Sequence, residues 1–215
     1  MLLGDTLGRT ARSAMTRFDE NTKRPPLWRE FLPRVERDIQ KDGLDCDPVN
    51  LPELLAKALA NSLPGNRGFI LNGSVGSGKT ERMSFFARIG NIHMYSASTF
   101  GDVWLDCEND NEFREFCRVD NVSGFLPERY QDLIIDDLGT ERTVYSRFGN
   151  ACDVMRDIVL PWRYGVFPRC KTYFTTNLSD SDLRNRYGER VFSRLNEMCA
   201  FIRMDGKDRR MYKGA

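Results

Sequence analysis

The segment Gly73-Ser74-Val75-Gly76-Ser77-Gly78-Lys79-Thr80 sits between an apolar, strand-like run, Gly68-Phe69-Ile70-Leu71-Asn72, and a stretch able to continue as a helix, Glu81 to Arg88. Its spacing is G-x-x-x-x-G-K-[ST]. In such a loop the glycines let backbone N–H groups close around a phosphate chain, the lysine (Lys79) reaches the β/γ-phosphates, and the hydroxyl (Thr80) ligates Mg²⁺. A helix that follows points its N-terminus at the same phosphates. A chance match somewhere in a chain this long has a probability of about one per cent. The strand-before, helix-after context lowers it further. Gly73, Ser74, Gly76, Ser77, Gly78, Lys79 and Thr80 are therefore the candidate nucleotide-binding residues, with ATP and Mg²⁺ as the expected cofactors.

The chain has 215 residues, enough for one α/β domain with a short appendage. Its 40% hydrophobic and 29% charged content is ordinary for a globular protein. No apolar run approaches the roughly eighteen residues that span a bilayer. The start, Met1-Leu2-Leu3-Gly4-Asp5-Thr6, lacks a basic region followed by an apolar one, so a cytoplasmic protein is expected. The cysteines at 46, 107, 117, 152, 170 and 199 show no C-x-x-C spacing, and His93 is the only histidine, which favours reduced thiols over a zinc site. A net charge of +1 gives no standing affinity for nucleic acid, so any DNA contact must come from a local patch or from several subunits together.

Residues 1–46 differ from the rest and read as short helices and loops around Pro25-Pro26 and Pro33, docked on a partner or on the main domain, or else partly ordered. From 47 to 215 a regular α/β alternation follows, read as the nucleotide-binding domain. Leu51–Ala60 has helical spacing, with Asn50 as its cap and Pro52 in its first turn. His93–Ala97 is a candidate strand, and Thr99–Asp106 a helix. Leu133-Ile134-Ile135 is the most strand-like run. Asp153–Leu160 has helical spacing that Pro161 should end or kink. Thr172–Thr176 is another strand. Continuous apolar strands alternating with helices predict a parallel sheet covered on both faces.

Three further constellations carry chemistry. Strand 133–135 ends in Asp136-Asp137, where Asp136 would hold Mg²⁺ and Asp137 would act as general base on a water. The plainer alternative is a turn after a strand. Asn177 closes strand 172–176 and should lie beside the loop, because ligands bind at the carboxyl ends of parallel strands; the plainer alternative is an Asx-turn. Arg190 and Arg194 are four apart and share one helical face, with an exposed, salt-bridged helix involving Glu189 and Glu197 as the alternative.

These segments together resemble the AAA+ ATPases of the DnaC/IstB type, the bacterial and phage replicative helicase loaders and the ATP-binding helpers of certain transposases. The resemblance covers roughly residues 48–212: Gly73–Thr80, Leu133–Glu141, Asp157–Tyr164, Thr175–Leu178 and Gly188–Leu195. It implies an α/β P-loop NTPase fold of the AAA+ type, preceded by a short helical segment. It implies that Lys79 and Thr80 are the Walker A residues and Asp136 and Asp137 the Walker B pair. Asn177 becomes sensor 1 and Arg194 the arginine finger, with Arg190 as second candidate. Arg210, in Gly206-Lys207-Asp208-Arg209-Arg210, stands where a sensor 2 arginine would. Asp137 departs by one methylene from the Glu that many members carry, which bears on hydrolysis rather than binding. Family loaders usually carry a separate helicase-binding domain where this chain has only 1–46.

The implied function is a helicase-loading ATPase that self-assembles with ATP on single-stranded DNA or a replicative helicase ring, with no membrane partner. The segment Arg114–Arg118 with Phe125 could face DNA, or be an amphipathic core helix. A transposition helper of the same fold, a small P-loop kinase and an ATP-bound scaffold of little activity are the competing readings.

Overall fold

The computed structural model describes residues 27–44, 50–119 and 132–204. Helices α1 (Trp28–Asp42) and α2 (Leu51–Leu59) precede strand β1 (Gly68–Asn72) and helix α3 (Lys79–Gly90). Strand β2 (His93–Ser96), helices α4 (Ala97–Asp106) and α5 (Asp110–Phe116) and strand β3 (Leu133–Leu138) follow. A hairpin of β4 (Tyr145–Arg147) and β5 (Asn150–Cys152) leads to a wide π-type turn, Val154–Val159, that runs into α6 (Leu160–Val166). Strand β6 (Thr172–Thr176), helices α7 (Asp180–Tyr187) and α8 (Glu189–Met198) and strand β7 (Cys199–Arg203) complete the described chain.

Five strands form one sheet in the order β2-β3-β6-β1-β7, every neighbouring pair parallel. Alternation along each strand assigns its side chains to two cores. Ile70, Leu133, Ile135 and Phe174 pack beneath α4 to α8. Their neighbours Phe69, Leu71, Ile134 and Tyr173 pack beneath α1, α2 and α3. Because both faces are covered, β1 and the first half of β3 are apolar at successive positions, which is why they read as continuous runs, while β6 buries threonines beside Tyr173 and Phe174. This is the expected α/β architecture, with β6 central, β1 and its loop on one side of it and β3 on the other: a P-loop NTPase fold. No helix among the described residues is long and apolar enough to cross a membrane.

The N-terminal helix is longer than its prolines suggest. Pro33 lies inside α1 rather than ending a segment. Pro33 and Arg29 are both exposed, so the Arg29 carbonyl that loses its helical donor faces water. Val35 and Ile39 of α1 join the core of α2 and α3, and Asp42 pairs with Arg88 of α3. Asn50 occupies the N-cap of α2, but its side chain donates to Glu53 (3.0 Å) instead of capping. Pro161 does not end its helix either. The turn before it widens, with the Leu160 N–H bonding the Met155 carbonyl five residues back, and α6 continues through the proline in its first turn. The arginine-rich stretch divides at Gly188 (φ 84°) into α7 and α8. Phe113 and Cys117 are buried and Arg114 stacks on Trp162 (4.4 Å), so this end of α5 packs its apolar side into the core. Phe125, Cys46, residues 1–26 and Arg210 with its flanking Gly206–Arg209 lie outside the described residues.

Candidate nucleotide site

Three strands set the site. β1, β6 and β3 are consecutive neighbours, all parallel, so the residues after their carboxyl ends share one edge of the sheet. The loop leaves β1 at Gly73. A Cβ there would sit 2.2 Å from the Met204 carbonyl oxygen, so only glycine lets the chain after β7 pass. Gly76 and Gly78 adopt φ near 80° (80° and 81°), which turns the loop backbone inward and starts α3 at Lys79. Arg82, fully buried one turn into α3, donates to the Ser77 (3.0 Å) and Gly78 (3.2 Å) carbonyls and braces the loop from below.

Lys79 is 5% exposed and reaches across the loop. Its ammonium donates to the Gly73 and Ser74 carbonyls (2.8 Å each), to Ser77 Oγ (3.3 Å) and to Asn177 Oδ1 (2.7 Å). An ammonium only donates, so the Asn177 amide must turn its oxygen here, leaving its NH₂ for another acceptor. Asn177 follows β6 directly, and the turn behind it is held by Asn72 Nδ2 donating to the Leu178 carbonyl (2.8 Å) and by Thr176 Oγ1 accepting the Leu178 N–H (3.1 Å). These contacts place Asn177, at the end of strand 172–176, beside the loop that follows strand 68–72, as the sequence leads one to expect.

Thr80 Oγ1 donates to Asp136 Oδ1 (3.2 Å). Thr175 Oγ1 also donates to Asp136 Oδ1 (2.5 Å) and accepts the Asp137 N–H (2.8 Å), so one hydroxyl fixes both acidic residues. Asp136 is buried; loss of water pushes its carboxyl above the usual range, aided by Asp137 next to it and opposed by the two threonine hydroxyls. Asp137 is half-buried and takes a left-handed backbone (φ 54°) where β3 bulges. Aspartate tolerates that conformation better than longer side chains do. The donor set suits a hard divalent cation: a hydroxyl and a carboxylate oxygen already within hydrogen-bond distance, at the foot of a glycine loop. Thr80 and Asp136 are the residues that would hold Mg²⁺.

The arginines separate. Arg194 lies with its guanidinium 4.7 Å from the Tyr164 ring centroid, and the Tyr164 hydroxyl donates to Glu197 (2.8 Å). Arg190 is exposed on the same helix. Glu189 pairs with Arg184 (3.5 Å). Among the described residues, no contact of Arg190 or Arg194 reaches Lys79, Thr80 or Asp136.

Sequence reasoning missed Thr175, Arg82 and a buried network around Arg186. Thr175 was discoverable as a polar residue next to the carboxyl end of a buried strand, where alternation places it on the face opposite Phe174. Arg186 binds Glu141 (2.7 Å) and Asp153, partners 45 and 33 residues away, and no local spacing announces them.

No family model matches the chain, and no curated protein sequence matches it. Among solved structures it is similar to AMPPCP-bound DnaA from Aquifex aeolicus, at 18% identity and a TM-score of 0.49, over 75% of this chain and 47% of that one. The chain thus spans about half the length of that protein. Its own strand order, glycine loop and converging strand ends make it a P-loop NTPase in fold.

Proposed function

We propose that this chain is an ATP-binding and ATP-hydrolysing AAA+ protein of the DnaC/IstB type, a cytoplasmic helicase loader acting in DNA replication. The observation that carries the nucleotide reading is the convergence of Lys79, Thr80, Asp136 and Asn177 on one edge of the sheet, joined by hydrogen bonds of 2.7 Å (Lys79 to Asn177) and 3.2 Å (Thr80 to Asp136). The loader reading rests on the five resembling segments named above. In this reading the loop amides and Lys79 bind the phosphates. Thr80 and Asp136 would hold Mg²⁺, which would supply neutralisation of phosphate charge when bound. Asp137 accepts the proton of the attacking water, and Asn177 turns its free NH₂ toward that water or the γ-phosphate. Arg194 serves a neighbouring subunit's site, where an arginine at the γ-phosphate can contribute ~10³–10⁵ in rate. Residues 1–46 are the proposed partner-docking segment, through surfaces other than the α1 face that packs on α2 and α3, and 47–215 would form the ATPase domain. The runner-up remains a transposition helper with the same site chemistry, bound to duplex DNA.

The test separates binding from assembly. Lys79→Ala should abolish binding of a fluorescent ATP analogue. Arg194→Ala should bind it normally and lose hydrolysis that depends on protein concentration. Normal hydrolysis in Arg194→Ala would remove the finger assignment, and normal binding in Lys79→Ala would remove the site.

A further inference from the structure

Hydrogen bonds hold the backbone where β3 bulges and ends. The Asp137 N–H goes to Thr175 Oγ1 (2.8 Å), and the Asp137 carbonyl accepts both the Thr140 N–H (3.1 Å) and its hydroxyl (2.8 Å). The Leu138 carbonyl accepts from Thr176 Oγ1 (2.7 Å). The Gly139 N–H donates to Glu141 Oε2 (2.9 Å). This last bond differs from the others in what lies behind it. Glu141 is 6% exposed, and its second oxygen accepts from Arg186 Nη2 (2.7 Å) and the Tyr187 hydroxyl (2.5 Å). The other arm of the Arg186 guanidinium binds Asp153, itself 2% exposed, which caps the π-type turn through the Arg156 N–H (3.0 Å). A planar guanidinium bridging two buried carboxylates is a rigid fork.

We propose that Glu141 and Arg186 are positioning residues for Asp137: Arg186 orients the Glu141 carboxylate, Glu141 holds the Gly139 amide, and the held amide keeps the left-handed turn that aims Asp137. The proposal rests on the nucleotide reading above and deepens it. The same fork joins the turn to the helix pair beyond it. Arg186 lies in the last turn of α7, two residues before the Gly188 break, and α8 beyond carries Arg190 and Arg194. A shift of α8 on meeting a neighbouring subunit therefore has a short covalent and ionic route to the Asp137 turn. The two feet of the β4–β5 hairpin, Glu141 and Asp153, are held by the same arginine.

Glu141→Gln is the informative substitution. Gly139, Arg186 and Tyr187 all present donors to this carboxylate. An amide has one acceptor oxygen, so it must leave at least one of them facing its NH₂. Tyr187→Phe is the comparator, because it removes a bond to the same carboxylate while Gly139 and Arg186 keep theirs. Glu141→Gln should lower kcat by about tenfold or more, the scale of one lost charged hydrogen bond, with KM and nucleotide affinity within about threefold. Hydrogen exchange at the Gly139 amide should rise by a similar factor. Tyr187→Phe should leave both near wild type. Arg186→Met should match Glu141→Gln if it folds, with partial recovery in Arg186→Lys. Wild-type kcat and Gly139 exchange in Glu141→Gln would overturn the proposal. So would equal losses in Glu141→Gln and Tyr187→Phe tracking lost stability, since that marks a merely structural network. A wild-type protein that binds no nucleotide would sink the function reading instead, and Gly139 exchange would still decide whether the fork holds the turn.

Discussion

Asp137 illustrates how a backbone can select a side chain. At φ 54° a longer, more flexible acid would carry a conformational cost that aspartate largely avoids. The position that looks like a shortened Walker B acid is thus compatible with a local geometry in which the turn, rather than the side chain's length, determines reach. Asp132 is the opposite case, an acid at the far end of the same strand with no part in the site. It is 8% exposed, and its oxygens accept the Lys171 N–H (2.8 Å) and the Tyr173 hydroxyl (3.4 Å). Burial pushes its carboxyl above the ordinary range, the Lys171 N–H opposing. The native state therefore holds this proton more tightly than the unfolded chain does. Below the ordinary carboxylate range both states are protonated and nothing is lost; as pH rises through the raised value the native state is penalised, fully so at neutrality. Asp132→Asn keeps an acceptor for Lys171 and gives Tyr173 a donor. It should stabilise the protein at pH 7, with the gain vanishing below about pH 4. Urea unfolding across that range checks it, and a gain independent of pH would refute the linkage.

Among the elements, the strands and the loop were legible because each is specified locally: a glycine pattern, or a run of apolar residues that two-sided burial demands. The hairpin was not. β4 and β5 have three residues each, too short for an alternating pattern to register. At Pro161 the helix is distorted by a widened turn rather than ended, and the Arg186 network was hidden because its partners are distant in sequence. The hairpin tip is also where local chemistry runs against structure. Phe148 is 85% exposed and, with Gly149, has positive φ (52° and 81°) in a two-residue turn that favours Asn-Gly. Its one described ring contact is the Arg147 guanidinium, 4.9 Å away. Phe148→Asn should relieve about 1 kcal/mol of backbone strain while losing about 0.5 kcal/mol of that contact. The net effect is a rise in Tm of about 1–2 °C by calorimetry. A fall in Tm would mean the ring packs more than its exposure indicates.

At the scale of the molecule, the two cores divide the labour. One carries α1 to α3 and braces the loop through Arg82; the other carries α4 to α8 and, through Arg186, joins the acidic turn to the helix bearing Arg190 and Arg194. Among the described residues those two arginines, on one face of α8, make no contact with the chain's own loop, so the proposed finger, Arg194, would serve a second copy. A contact between unlike surfaces of identical subunits extends head to tail, closing into a ring or opening into a filament. With a net charge of +1 the monomer has little general attraction for a polyanion, so DNA affinity should appear only when subunits present their local charges together. Nucleotide that binds the interface form preferentially must then drive assembly by mass action. The protein should therefore be a monomer alone, and grow in mass when ATP·Mg²⁺ and a single-stranded oligonucleotide are both present. Arg194→Ala should stay monomeric while still binding nucleotide. Light scattering after size exclusion reads both. A wild-type monomer indifferent to ATP and DNA would place the arginine face against a different protein, and growth of Arg194→Ala to wild-type mass would take Arg194 out of the interface.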